Sequence, residues 1–588
     1  MDIYTTAIAV SILVYIVIGN YAGRGVRNLD DYYVAGRRAP TLLIVGTLVA
    51  SVMSSTMFLG EAGFAYDTQA GPYILFPQGA AVGYVLGALF FGRYLRRSRT
   101  NTLAEFFGQR FNSKRVQVLA GITIVLALGG YLLAVTQGAA ILLAELTDLS
   151  YVQALVVAWL SYTTFTMYSG SRGVILTDTL MFLLFTVASA AAVVFLVRDL
   201  GGVPSIIEDL VAVEQKEDLM SWHGMIGPGT GWPTAMDYLI WAIVIDISWM
   251  LVYMVSPWQS SRHQMARNEH VVLRSAVIAA LFVALLQVLV YGMGGIINVG
   301  NPEIAPPERA TIWASLYMLP TILGALMLAG IMAAVLSSAS TFLSLVGFSV
   351  SNDIGIHDTN DETKSLRFSR LMMLVTGAMA LAAALVFPPQ IFWLTTFIAT
   401  VFASSWGPVG LMAIWSKRIT ENAAFWGMLA GLVFNVVPKF FTFVGVLELP
   451  SYLNPVIIGG LASLLVTIVV SRWTMVSAAE KAYLAKLHER PESEVGQRRT
   501  RITLIAPAVL IVVNGVVLPV LLTVYYVLPY QRATGTLAPG GSLDWATGEM
   551  ALMVSWSVIW IALGVFAIRY ILKAYAPAGG APAIFRQP

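Results

Sequence analysis

The sequence predicts an all-α polytopic membrane protein, a bundle of about 15 transmembrane helices, and three observations lead there. Of its 588 residues 57% are hydrophobic and only 11% charged, well under the roughly 25% charged of soluble domains. Uncharged apolar stretches long enough to cross a bilayer, about 20 residues each, recur from end to end with short polar breaks. Lysine and arginine gather in alternate loops, as they do when one side of a membrane is cytoplasmic. A transmembrane barrel would instead show alternating segments of about ten residues. Cysteine is absent, which excludes disulfides, thiol catalysis and cysteine metal sites. A net charge of +3 is too small to imply a nucleic-acid partner.

Spans are read at 4–23, 41–66, 72–95, 116–146, 150–169, 173–197, 238–257, 275–297, 318–350, 371–387, 390–415, 422–446, 453–471, 503–527 and 549–568. The first lacks a basic leader and a small-residue cleavage site and is followed by Arg24 and Arg27, so it reads as an uncleaved anchor. Basic residues follow spans one (Arg24, Arg27, Arg37, Arg38), three (Arg93, Arg96, Arg97, Arg99, Arg110, Lys114, Arg115), seven (Arg262, Arg267, Arg274), eleven (Lys417, Arg418) and thirteen (Arg472, Lys481, Lys486, Arg490). The acidic 198–237 loop and the proline-rich 301–309 loop fall on the other side. This alternation predicts a multi-pass protein of the cytoplasmic (inner) membrane, embedded in the lipid bilayer with its N-terminus outside and its C-terminus in the cytoplasm.

A carboxylate inside the bilayer is costly and marks a functional candidate. Three are found: Glu61, between glycines in Phe58-Leu59-Gly60-Glu61-Ala62-Gly63; Asp178, early in span six; and Asp246, midway along span seven. Each has a plainer reading as a helix-end charge that reaches water or an arginine. Span nine carries Ala333-Ala334-Val335-Leu336-Ser337-Ser338-Ala339-Ser340-Thr341. Residues three and four apart share a helix face, so Ala334, Ser337, Ser338 and Thr341 form one oxygen-bearing stripe with Ser340 beside it. Such a stripe suits a dehydrated hard cation, or else close packing of small residues. Span two offers Ala50-Ser51-Val52-Met53-Ser54-Ser55-Thr56 just before the break expected at its glycines, which weaken the helix on both sides of Glu61. Unwound backbone there would expose carbonyls able to hold Na⁺.

These residues resemble the sodium:solute symporter family of proline, pantothenate, acetate, sialic acid and sugar symporters, over about residues 1–471. The motifs are Asp31-Tyr32-Tyr33-Val34-Ala35-Gly36-Arg37, Phe58-Leu59-Gly60, Thr102-Leu103-Ala104-Glu105-Phe106 with Arg110-Phe111, Thr177-Asp178, Arg262 with Met265-Ala266, the span-nine serines with Asn352-Asp353-Ile354, and Gly407-Pro408. The resemblance implies a leucine-transporter-type fold with two inverted five-helix repeats and discontinuous helices at spans two and seven. It implies an anchor and loop at 1–38, repeats at 39–197 and 238–416, two further core helices at 417–471, a linker at 472–502 and two extra helices with a tail at 503–588. It places a sodium ion on the carbonyls of Ala50, Met53 and Ala334 and the hydroxyls of Ser337 and Ser338. A second sodium would fall on Asp178, Ser337, Ser340 and Thr341.

Two departures stand out. Span seven has no glycine or proline near Asp246, only Pro257 further on. Met57 and Thr56 stand where sugar-transporting members carry polar and acidic groups, which disfavours sugar. The expected function is sodium-coupled symport of a small organic solute by alternating access, with Na⁺ as coupling ion and no enzymatic reaction. A monocarboxylate or amino acid would suit a compact cavity at Thr56, Met57, Glu61, Asp246, Trp249 and Tyr253. Glu61 and Asp246 together would favour a zwitterion or a choline-like cation. A transporter-like sensor would need a signalling domain, and the tail after Lys573 is short. Histidines His223, His263, His270, His357 and His488 are expected in loops, away from any membrane enzyme site. The last two spans are expected to form an accessory unit or a packing element.

Overall fold

The computed structural model describes residues 2–76, 79–355, 361–489, 491 and 498–574. His357 and the tail beyond residue 574, whose cytoplasmic location the charge pattern predicts, lie outside them. Among the described residues 13 helices are long and apolar enough to span a membrane. They include α1 (Ile3–Gly23), the anchor.

Two features reconcile this set with the expected spans. The 41–66 span falls outside the 13 because it is interrupted: α2 (Thr41–Ala50) stops and α3 (Ala62–Asp67) follows a π-helical turn at Thr56–Glu61. Conversely, spans five and six share one 49-residue helical run, Tyr151–Asp199. That run is not straight, because Gly170 sits at φ 54° and ψ −148°, a conformation open essentially to glycine alone. The chain turns back there: Gly19 of α1 faces both Phe165 and Gly173, which a continuous helix would hold roughly 12 Å apart. A Cβ at Gly170 would meet the Tyr32 ring and carbonyl at 2.6 Å, so the reversal is also pinned from outside.

The interruption of the 41–66 span does not lie at its glycines, as expected, but in the serine run before them. Ser51 Oγ donates to the Leu48 carbonyl at 2.9 Å and the Thr56 amide donates to Ser54 Oγ at 3.0 Å. Short hydroxyl side chains offer the backbone partners other than the helix ladder. Gly60 and Gly63 serve close approach instead, for added Cβ atoms would stand 3.2 Å from Ile391 Cγ2 and 2.8 Å from the Pro307 carbonyl.

Span seven breaks at its proline. Helix α4 (Ala235–Val255) gives way to extended Ser256 (ψ 149°), and α5 (Pro257–Met265) begins. The residue before a proline is driven out of the helical region, while the proline itself suits a first helical position. Beside α4 runs Gly79–Gly87. Cβ atoms at Gly79, Gly83 and Gly87 would come within 2.0, 2.5 and 2.9 Å of the α4 backbone at Asp246, Met250 and Met254. Backbone therefore lies against backbone along that seam.

Helix α6 (Thr321–Phe348), which carries the serine stripe, is almost wholly buried. Outside, Leu13, Val17, Leu126, Val187, Val194 and Met379 are exposed, the apolar mantle of a bundle whose solvent is lipid. The basic loops converge at one end: Arg37 donates to the Arg99 carbonyl at 2.9 Å, Arg96 to the Arg267 carbonyl at 2.9 Å, and Arg110 to the Ala413 carbonyl at 2.6 Å. At the opposite end Thr5 donates to the Leu146 carbonyl at 2.8 Å, and Lys216 to the Tyr66 carbonyl and Asn298 Oδ1, both at 2.8 Å. Partial burial pushes Lys216 down to about 8.

Linker helix α7 (Ala478–His488) packs on the basic end, where Arg110 donates to the Glu480 carbonyl and Arg97 to the Leu487 carbonyl, both at 3.3 Å. The extra helices α8 (Arg498–Leu522) and α9 (Gly548–Ala574) pair through Gly515 against Trp560 and Gly564 against Val512. They hold the core at both ends. Tyr570 bonds Arg93, which also pairs with Glu269 at 3.0 Å, while Glu549 accepts from the Trp222 amide at 3.1 Å.

Candidate functional site

The two broken helices face each other across α6. Ala50, Met53, Asp178, Ala334, Ser337, Ser338, Ser340 and Thr341 are all fully buried. Ser338 Oγ lies 3.5 Å from the Met53 carbonyl oxygen, so the stripe meets the interrupted segment of the first broken helix. The second broken helix is tied to the same place, as Gln259 of α5 donates to Tyr84 Oη at 2.7 Å and Tyr84 to the Leu48 carbonyl at 2.6 Å.

Asp178 is paired. Its Oδ1 accepts from Ser337 Oγ at 2.7 Å; its Oδ2 accepts from Thr47 Oγ1 at 2.5 Å and from Arg262 Nη2 at 3.3 Å. Arg262 also donates to Thr341 Oγ1, and Ser340 Oγ donates to the Ser337 carbonyl at 2.8 Å. Both charged side chains are essentially inaccessible. Arg172, the arginine nearest to Asp178 in sequence, instead donates to the Gly25 carbonyl at 2.7 Å and pairs with Asp31 at 3.5 Å. The signal that could have found Arg262 is the requirement that a buried carboxylate have a countercharge. The histidine expectation also needs correction. His263 is buried in α5, His270 lies in the helix Glu269–Gly300, and His488 in α7, leaving only His223 in a loop among the described ones.

A cavity of about 700 Å³, counting its open mouth, lies on the other side of the first break. All six expected residues, Thr56, Met57, Glu61, Asp246, Trp249 and Tyr253, line it. The sequence did not single out its remaining polar wall, Tyr73, Tyr131, Tyr238, Trp241, Gln287 and Tyr291. These arrive from helices distant in sequence, so no local pattern joins them. Tyr291 Oη donates to Glu61 Oε2, and the Gly79 amide donates to Asp246 Oδ1 at 2.6 Å. Trp249 stacks on Tyr253 with ring centroids 5.5 Å apart, and Tyr73 meets Tyr291 edge-on at 5.1 Å.

Comparison with known proteins agrees with this arrangement. The profile of the sodium:solute symporter family matches residues 32–431. A sodium/pantothenate symporter of Escherichia coli (strain K12) is 24% identical over 423 residues, 70% of this chain and 84% of its own length. A sodium/proline symporter of Salmonella typhimurium is 25% identical over 466 residues, 74% of this chain and 88% of its own. Among solved structures, a Na⁺-coupled sialic acid symporter in a substrate-bound outward-open state superposes with a TM-score of 0.66 at 18% identity, covering 81% of this chain and 99% of that one. A nucleobase-cation-symport-1 family transporter gives 0.51 at 14% identity, over 78% and 99%. The all-α bundle with paired broken helices is thus of the leucine-transporter type. The protein is a transporter and not an enzyme, it couples a small solute to Na⁺ within a membrane, and the chain belongs to the sodium:solute symporter family.

Proposed function

We propose that Na⁺ binds among the carbonyls of Ala50, Met53 and Ala334 and the hydroxyls of Ser337 and Ser338, and that an amino acid or other small organic solute occupies the adjoining cavity. The observation that carries this reading is the 3.5 Å separation of Ser338 Oγ and the Met53 carbonyl oxygen. Na⁺ is close to Ca²⁺ in size; oxygens about 2.3–2.6 Å from such an ion and at right angles lie about 3.3–3.7 Å apart. Ser337, by giving its proton to Asp178, keeps its lone pairs for a cation. Coupling follows from position: the ion bridges the first broken helix to α6, and the solute rests against that same helix, so each favours the arrangement the other needs.

The second ion site is read differently. The guanidinium of Arg262 already supplies the positive charge at Asp178 and Thr341, and Ser340 is bonded within its own helix. A sodium at Asp178, Ser340 and Thr341 requires Arg262 to withdraw, so a single Na⁺ is assigned to the arrangement seen. The repeats are assigned to 39–197 and 238–416, after the 1–38 anchor and before the 417–471 helices. The 472–502 linker and the 503–588 pair are taken as additions that brace the core. The basic end is taken as cytoplasmic.

The test is Na⁺ titration of the purified protein with Ser338→Ala and Ser337→Ala. Loss of one oxygen ligand worth about 1.4–2.8 kcal/mol should raise the apparent sodium constant roughly 10- to 100-fold. Wild-type sodium dependence in both variants would make the stripe a packing face and remove the assignment.

A further inference from the structure

The cavity is built for a positive solute. Among its described lining residues are two carboxylates, Glu61 and Asp246, and not one lysine, arginine or histidine. Its walls are aromatic, with Tyr73, Tyr131, Tyr238, Trp241, Trp249 and Tyr253 presenting rings to the space. Ring faces attract cations, ammonium and quaternary ammonium groups above all.

Independent of the two acids, the cavity holds an acceptor that nothing satisfies. Gln287 is 6% exposed and lines the space, and its Oε1 has no hydrogen-bond partner. Thr56 Oγ1, another group of the lining, is likewise buried and unpartnered. A buried acceptor left unmade is costly, and an N–H donor of a bound solute would remove that cost. The two carboxylates are each steadied on one oxygen, Glu61 by Tyr291 and Asp246 by the Gly79 amide. These contacts fix where the two carboxyl groups stand.

We infer that the transported solute is a small organic amine, held by its ammonium group between Glu61 and Asp246 inside the aromatic walls, and that a simple monocarboxylate is rejected. This rests on the cavity being the solute site of a sodium-coupled symporter. A carboxylate solute would meet two acids and no basic side chain among the described lining residues. A zwitterion would satisfy the acids only with one end.

The experiment measures ligand-induced thermal stabilisation of the purified full-length protein in NaCl and in KCl of equal ionic strength. The probes are choline, propylamine, proline, propionate and 3,3-dimethylbutan-1-ol, the neutral carbon isostere of choline. Choline or propylamine should stabilise in NaCl at concentrations at least tenfold below those at which the neutral isostere or propionate acts. Glu61→Gln and Asp246→Asn keep an oxygen for Tyr291 and for the Gly79 amide, so each should fold normally yet weaken amine binding about tenfold or more. Stabilisation by propionate in NaCl alone would overturn the inference while leaving sodium coupling intact. Amine binding that is equal in NaCl and KCl would leave the inference standing and remove the coupling. No response to either amine, or full amine affinity in both variants, also overturns it.

Discussion

Arg262 and Asp178 form the most consequential side-chain pair in the core. A buried ion pair contributes little net stability against an apolar replacement, but removing one partner strands the other and costs about 3–5 kcal/mol. Arg262→Ala should therefore lower the melting temperature sharply, and Arg262→Ala combined with Asp178→Asn should recover much of the loss. A double variant as unstable as the sum of the singles would show that the two do not act together. The sequence made Asp178 conspicuous because a carboxylate in an apolar run needs a reason. It did not make Arg262 so, because that residue stands beyond Pro257 in what reads as a loop, and only the break at Ser256–Pro257 turns it back into the bundle.

The elements themselves were legible wherever apolar length decides. Each expected span overlaps helix among the described residues, and span nine is one uninterrupted buried element. What periodicity could not show was where helices fail. Ser51 and Ser54, whose hydroxyls compete for the backbone, interrupt the span rather than Gly60, which is spent on contact with Phe392. The linker helix α7 was also invisible, since its anchors are arginines far away in sequence, Arg97 and Arg110, which donate to its own carbonyls. His488 gives it a proton dependence. Its Nε2 lies 2.9 Å from the Ile414 carbonyl, which a neutral ring with Nε2–H satisfies. Burial holds the imidazole below its usual value, with Arg97, Arg93 and Arg110 acting the same way against the Ile414 bond. The unfolded chain thus binds the proton more readily, and docking of α7 weakens as pH falls through about 6.5. Hydrogen exchange of 478–488 should lose protection between pH 7.5 and pH 5.5, after correction for intrinsic rates, and His488→Phe should abolish that difference. Constant protection across the range would show that His488 has no part in it.

For the molecule as a whole, the residues proposed for Na⁺ and solute lie entirely within the matched portion, residues 32–431. Truncation after residue 490 keeps α7 but removes α8 and α9, and with them the Tyr570 and Glu549 contacts. The shortened protein should bind Na⁺ with unchanged affinity and melt at a lower temperature; a folded, monodisperse truncation that no longer binds Na⁺ would contradict this. Orientation is open to a direct test as well, because the chain has no cysteine. A single cysteine between residues 198 and 237 should react with an impermeant reagent added outside intact cells, and one between 474 and 489 should not. The reverse pattern would invert the assignment.

The seam between Gly79–Gly87 and α4 carries a consequence for heredity. Every single-base change in a glycine codon that alters the residue brings in a Cβ, and at positions 79, 83 and 87 the obstacle is main chain, at 2.0, 2.5 and 2.9 Å. Compensation elsewhere is denied too, since no codon replaces a carbonyl oxygen. The three positions are therefore a place where the lineage has no one-step neighbour to drift to, and variation among descendants should fall instead on Val82 and Leu86, the half-buried positions of the same helix.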